Sequence, residues 1–207
     1  MRTENKILMK QARESLVGKW GLAIGTFVVY FLINIAIGSA KTPGSIVSLL
    51  VSGPFTLGLV MFSLSISRNK EAKLEQLFLG FKRFGKALAA YLLVFLFTFL
   101  WALLFIVPGI IAAISYSQTF YILADDETIG VRDAIKKSKK MMYGYKWKYV
   151  CLEFRFIGWA LLSVLTLGVG FLWLFPYMQV SMAKFYDDVK EVKSQDSAGV
   201  GSTEVQS

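Results

Sequence analysis

Histidine is missing from the 207-residue chain, and cysteine occurs once, as Cys151. A disulfide within one copy is thereby excluded, as is a zinc site built from cysteine and histidine. Histidine-based acid–base chemistry goes with them. Proline occurs four times, and acidic residues number 14 against 23 Lys and Arg. In a soluble protein the resulting net charge of +9 would raise nucleic acid as a partner. Here the bases lie beside long charge-free runs, so they read as inner-side loops of a membrane protein, and no nucleic acid is expected. Nucleotide-binding loops, nucleophile elbows and metalloprotease helices are also missing. No catalytic residue, cofactor or metal ion is therefore expected.

What the chain has in abundance is apolar length. Hydrophobic residues make up 55% of it and aromatic residues 15%. From Ala87 to Ala124 there is no charge in 38 residues, broken only by Pro108-Gly109. As one helix this stretch would measure about 57 Å, nearly twice the ~30 Å hydrocarbon core. It is expected to be a hairpin of two spans turning at Pro108-Gly109, where proline removes a backbone donor.

The same plan is expected three times: a basic amphipathic helix, a glycine, a basic residue, a span, a break and a span. Residues 3–19 lead into a span at about Trp20 to Ala40. A turn at Lys41-Thr42-Pro43-Gly44 and a second span at about Ser45 to Ile66 follow, the latter interrupted by Gly53-Pro54. The first span exceeds the ~7–15 residues of a signal core, so it is expected to stay in the chain. Residues 67–86 carry the stripe Leu74, Leu77, Phe78 and Phe81 and lead into Ala87–Val107 and Gly109–Ala124. Residues 125–148 put Val131, Ala134, Ile135, Met141, Met142 and Tyr145 on one face, ringed by lysines. They lead into spans at about Tyr149 to Leu167 and Phe171 to Tyr186, separated by Gly168-Val169-Gly170. The glycines recur at Gly18, Gly85 and Gly144, and Trp101-Ala102-Leu103-Leu104 returns as Trp159-Ala160-Leu161-Leu162.

The fold expected is thus an all-α integral membrane protein. It has six transmembrane helices in three hairpins, each hairpin preceded by a basic amphipathic cytoplasmic helix. Residues 1–193 form the membrane domain, with pseudo-repeats at about 3–66, 67–124 and 125–190, and 194–207 form a disordered cytoplasmic tail. With Arg2 included the lead-ins hold 5, 6 and 7 Lys/Arg and the carboxyl end 3, so 21 bases lie inside against Lys41 alone outside, Arg155 being within a span. Both termini are then cytoplasmic, in the plasma membrane. A single span over Phe156–Phe175 would instead give five spans and an outside carboxyl end.

Few residues suggest chemistry. Glu153 and Arg155 are charges well inside a span, where an isolated charge is expensive. They either line a polar pocket or snorkel back to the headgroups, and snorkelling is the expectation. The second arms carry polar groups: Thr56, Ser63 and Ser65; then Ser115, Tyr116, Ser117, Gln118 and Thr119; then Tyr177, Gln179 and Ser181. These face either a ligand-lined cavity, with Tyr116, Gln118, Tyr177 and Gln179 as its polar lining, or neighbouring helices through hydrogen bonds. Asp125-Asp126-Glu127 and Asp187-Asp188-Glu191 read as solvated punctuation at the inner interface rather than as a metal site. Lys136, Lys137, Lys139 and Lys140, with Lys82 and Arg83, suit anionic lipid headgroups. The alternatives are that these bases only enforce orientation or that they dock a membrane or cytoplasmic protein.

An amphipathic start into Gly18-Lys19-Trp20 is followed by SerGlyProPheThrLeuGlyLeu (52–59) and LeuPheLeuGlyPhe (77–81). IleValProGlyIleIle (106–111), SerTyrSerGlnThrPheTyrIleLeuAlaAsp (115–125), IleGlyTrpAlaLeuLeu (157–162) and ThrLeuGlyValGlyPheLeuTrpLeuPheProTyr (166–177) come next, in that order. This set resembles a domain-of-unknown-function family of six-span bacterial membrane proteins common in Gram-positive bacteria. That family is distantly similar to the membrane domain of glycerophosphodiester phosphodiesterases. The resemblance implies location and fold, not a reaction, because the catalytic half of those enzymes has no counterpart here. The function expected is that of a non-enzymatic accessory, scaffold or envelope-protection factor working through lipid and protein contacts. The alternative is a small transporter or binding protein for a lipophilic or lipid-like molecule.

Overall fold

The computed structural model describes residues 3–39 and 44–203, with side chains over 3–37 and 48–195. Those residues form helices and the short links between them, with no strand among them. In order they form α1 (Asn5–Leu16), α2 (Trp20–Ser39), α3 (Gly44–Ser67), α4 (Gln76–Lys82) and α5 (Phe84–Leu104). Then come α6 (Ile106–Tyr116), α7 (Thr119–Asp125), α8 (Val131–Met142), α9 (Lys146–Leu165) and α10 (Phe171–Thr203).

Among the described residues, four stretches are long and apolar enough to cross a membrane: Trp20–Ile37, Ser48–Ser67, Phe84–Leu104 and Ile106–Asp125. The sequence pattern leads to an expectation of six. The other two candidates fall short through charge rather than length. Lys146, Lys148, Glu153 and Arg155 lie in α9, and Lys184, Asp187 and Asp188 lie within the first five turns of α10. The core is largely apolar, but much of the surface is apolar as well. Ser63, Gln118, Thr119, Ser138 and Ser181 are buried, whereas Leu104, Ile106, Leu161 and Leu165 are mostly exposed. Such an arrangement is consistent with a membrane protein, in which apolar side chains face outward and polar ones need partners within.

Close backbone approach organises the packing. A Cβ on Gly58 would enter the Leu77 carbonyl, and one on Gly80 would enter the Pro54 carbonyl, so α4 lies directly on α3. Gly53 meets α5 in the same way, its Cβ position 2.6 Å from the Ala87 carbonyl oxygen. Gly53-Pro54 therefore does not interrupt the second span: α3 runs through Pro54, and the glycines beside it provide clearance.

The turn after α5 also differs from expectation. The chain breaks at Phe105 (φ −158°, ψ 143°), and Pro108 sits in the first turn of α6. Proline is tolerated there because the first amides of a helix have no partner within it. Gly109 packs against Ala102 of α5, its Cβ position 2.6 Å from the Ala102 Cα. The apolar run then breaks again, with α6 ending at Tyr116 and α7 starting at Thr119.

Gly18 and Gly144 follow α1 and α8 with φ of +76° and +82°, the left-handed conformation that ends a helix without strain in glycine. Gly85 has no such role and lies within α5. The link between α9 and α10 turns on Leu167 and Gly168, both at positive φ. Helix α10 continues through Thr203, so residues 194–203, expected as a disordered tail, are helical. Residues 204–207 of that tail, and Lys41, Thr42 and Pro43 of the expected first turn, lie outside the described residues.

Candidate functional site

At one end of the bundle the ends of α3 and α7 meet the middle of α10, and the charges they carry interlock. Arg68, just past α3, donates from one terminal nitrogen to Asp125 Oδ1 and from the other to Asp187 Oδ1, each at 2.7 Å. Its Nε points at the Asp187 carboxylate, 3.2 Å from Oδ1. Tyr186 donates to the second Asp125 oxygen at 3.1 Å, and Lys190 pairs with the same oxygen. Hydrogen bonding to Asp187, with a further contribution from Asp125, raises the Arg68 pKa above its ordinary value despite partial burial. Nearby, Lys184 donates to the Ser67 carbonyl, and Lys148 forms a nearly buried pair with Asp188.

Whereas Asp126 bonds within its own turn and Glu191 is exposed, Asp125, Asp187 and Asp188 are thus structural joints rather than solvated punctuation. Their signal was present in the sequence as bases at 68, 148, 184 and 190, but only the fold shows which base meets which acid. Arg83 is engaged similarly. It donates to the Leu123 carbonyl at 3.0 Å and pairs with Glu127, and burial lowers its pKa from the ordinary value. Lys86 donates to the Glu127 carbonyl. Arg83 therefore faces the protein, whereas Lys82 is exposed.

Lys136, Lys137, Lys139 and Lys140 are all exposed on α8. The opposite face of that helix buries Ala134, Ile135, Ser138, Met141 and Met142. The Ser138 hydroxyl donates to the Ser115 carbonyl at 2.8 Å and ties α8 to α6.

The polar residues of the second arms mostly satisfy themselves. Thr56, Ser63, Ser65, Ser115 and Ser181 each donate to the carbonyl four residues earlier, and Ser117 and Thr119 to the one three earlier. Hydrogen bonds between helices, the expectation for this group, are the exception. One is Tyr121 donating to Gln179 Oε1 at 3.4 Å. Tyr149 of α9 also lies against the Glu153 carboxylate and the Ser117 hydroxyl. Gln118 is almost fully buried, with Nε2 on the Ser117 hydroxyl and Oε1 without a partner. Tyr116 packs away from this cluster, against Ile135 and Phe97.

Glu153 and Arg155 have different surroundings. Glu153 lines a small cavity of about 170 Å³ between α9 and α10, with Phe156, Phe171 and Met178. Arg155 is exposed.

A larger groove of about 450 Å³ runs between α2, α9 and α10. Trp20, Trp159, Leu162, Trp173 and Tyr177 line it, and Arg13 of α1 lies at one end. Trp159, Leu162 and Trp173 are half exposed, so the groove opens sideways from the bundle. The hydroxyls nearest it are internally bonded: Ser163 to the Trp159 carbonyl and Thr166 to the Ser163 carbonyl. Of the site residues expected from sequence, only Tyr177 contributes to this groove.

No curated protein and no solved structure matches the chain. A family model for a protein of unknown function, DUF975, matches residues 1–116 and 103–193, and so nearly the whole length described above. The chain belongs to the DUF975 family.

Proposed function

We propose that this protein is an integral protein of the plasma membrane that acts without catalysis, as a scaffold or accessory factor, through contacts with anionic lipids and with other proteins. In this reading it crosses six times as three hairpins, and both termini are cytoplasmic. Helices α9 and α10 serve as the fifth and sixth spans, with most of their charges near the inner face, where Lys148 meets Asp188 and Arg68 meets Asp187, and with Glu153 and Arg155 deeper in α9. The threefold plan draws support from Gly18 and Gly144, which end α1 and α8 in the same left-handed turn before a further helix.

The observation that carries the reading is α8. One face is buried against the bundle, and four lysines project from the rest without engaging an acid closely, the nearest being Asp133 at 3.9 Å from Lys136. A helix held so firmly has no need of these lysines for packing. They suit an anionic leaflet, at about 1 kcal/mol per well-placed base.

The test uses the whole protein in nanodiscs of neutral or anionic lipid and follows amide exchange over residues 131–142. Exchange is expected to be slower in the anionic discs, and the difference to shrink with added salt. Replacing Lys136, Lys137, Lys139 and Lys140 together by Gln should abolish the difference. Equal exchange in both lipids for the unaltered protein would sink the lipid contact and leave α8 as a protein-docking face.

A further inference from the structure

We infer that the groove between α2, α9 and α10 holds one anionic phospholipid, its phosphate on Arg13 and an acyl chain lying along α10. This inference rests on the chain being embedded in a membrane but not on any role for α8.

The groove has two chemically distinct ends. At the α1 end stands the Arg13 guanidinium, exposed and without an acidic partner among the described residues. Its sequence neighbour Glu14 is directed to Lys10 instead. Tyr177 lies close enough to feel the Arg13 charge, and it supplies a hydroxyl beside it. Away from that end the lining is Trp159, Leu162, Trp173 and Leu174, and the Ser163 and Thr166 hydroxyls are already occupied by backbone carbonyls. From Tyr177 to Gly170 the apolar floor extends seven residues, about 10 Å at the helical rise.

Charge complementarity selects the occupant. A cationic amphiphile would meet Arg13 as a like charge. One with no phosphate would leave only water to accept from the exposed guanidinium, and a zwitterionic phospholipid would bring its own cation beside it as a like charge. A phosphate diester accepts two parallel N–H bonds from guanidinium, the geometry in which arginine is strongest. Trp20 beside Arg13 suits the interfacial depth of a headgroup, where an apolar ring carries one polar N–H. The volume falls within the usual range for a ligand that leaves part of itself outside.

The experiment reads the groove's own tryptophans. The chain has five tryptophans, and Trp101→Phe with Trp147→Phe leaves Trp20, Trp159 and Trp173, all lining the groove. Whole protein carrying these two changes is placed in nanodiscs doped with phosphatidylglycerol or phosphatidylcholine brominated on one chain, at equal mole fraction. Fluorescence quenching should show a preference of about fivefold for the brominated anionic lipid, the weight of roughly one base at an anionic surface. Arg13→Gln should remove the preference, Arg13→Lys should keep most of it, and Lys10→Gln on the same helix should leave it unchanged. Equal quenching by the two lipids would overturn the inference. So would a loss from Lys10→Gln as large as that from Arg13→Gln, since the basic surface as a whole would then be responsible. Orientation reporters on the same variants show whether the protein is inserted, so failure of the groove and failure of the membrane reading give different results.

Discussion

Arg68 holds together two carboxylates that would otherwise repel, and its side chain and theirs retain only 12–30% exposure. Arg68→Gln leaves Asp125 and Asp187 facing each other with a hydrogen-bond donor but no charge. Discounted for the remaining exposure, the loss should be about 1–3 kcal/mol, read as a lower thermal midpoint in detergent. Adding Asp187→Asn to that variant should recover part of the loss, because one unpaired charge is removed; no recovery would show that the pair is not coupled. Glu153 and Arg155 are two residues apart and face different ways on α9. Arg155→Gln should change stability by less than about 0.5 kcal/mol, as expected of an exposed side chain. Glu153→Leu should cost about 1 kcal/mol, because the Tyr149 hydroxyl loses the carboxylate beside it. Equal effects would refute the separation of the two side chains. In the sequence both read as snorkelling candidates, since hydropathy reports depth but not which side of a helix meets the bundle.

At the scale of elements, clearance decides where helices meet. Gly58 and Gly80 let α4 lie on α3 with backbone against backbone, so a methyl group at either position forces the two helices apart. Gly58→Ala and Gly80→Ala should each destabilise by about 1–3 kcal/mol, the usual result of overpacking. Gly25→Ala on α2 has open space around it and serves as the control. There the expected change is neutral or slightly stabilising, since alanine favours helix over glycine by about 1 kcal/mol. If all three behaved alike in thermal unfolding, the close approach would be wrong. The apolar stretches and the breaks between them were legible from composition and from glycine and proline. The use made of those residues was less so. Gly53-Pro54 reads locally as a break yet lies within α3, because proline removes one hydrogen bond while α4 and α5 hold the helix in place. Pro108-Gly109 reads as the turn, yet the turn is three residues earlier, where proline can occupy the first turn of α6.

For the molecule as a whole, reporter fusions after Ser67, Glu127 and Lys193 should all report cytoplasm. An outside signal at the last position would establish the five-span alternative and remove the threefold plan. The amino-acid sequence by itself determined the helical class, the apolar stretches long enough for a membrane, the family and the excess of bases near particular helix ends. These are properties of local composition, and a helix in lipid satisfies its backbone internally whatever its neighbours are. Only the tertiary structure decided which charges pair, because Arg68, Asp125 and Asp187 are separated by more than 50 residues in the chain. It also decided that the serines and threonines of the second arms bond mostly to their own helices, a choice made by side-chain rotamer and not by sequence spacing. The groove beside Arg13 was likewise invisible along the chain. Its walls come from α1, α2, α9 and α10, and their adjacency is set by packing of the buried faces rather than by order in the sequence.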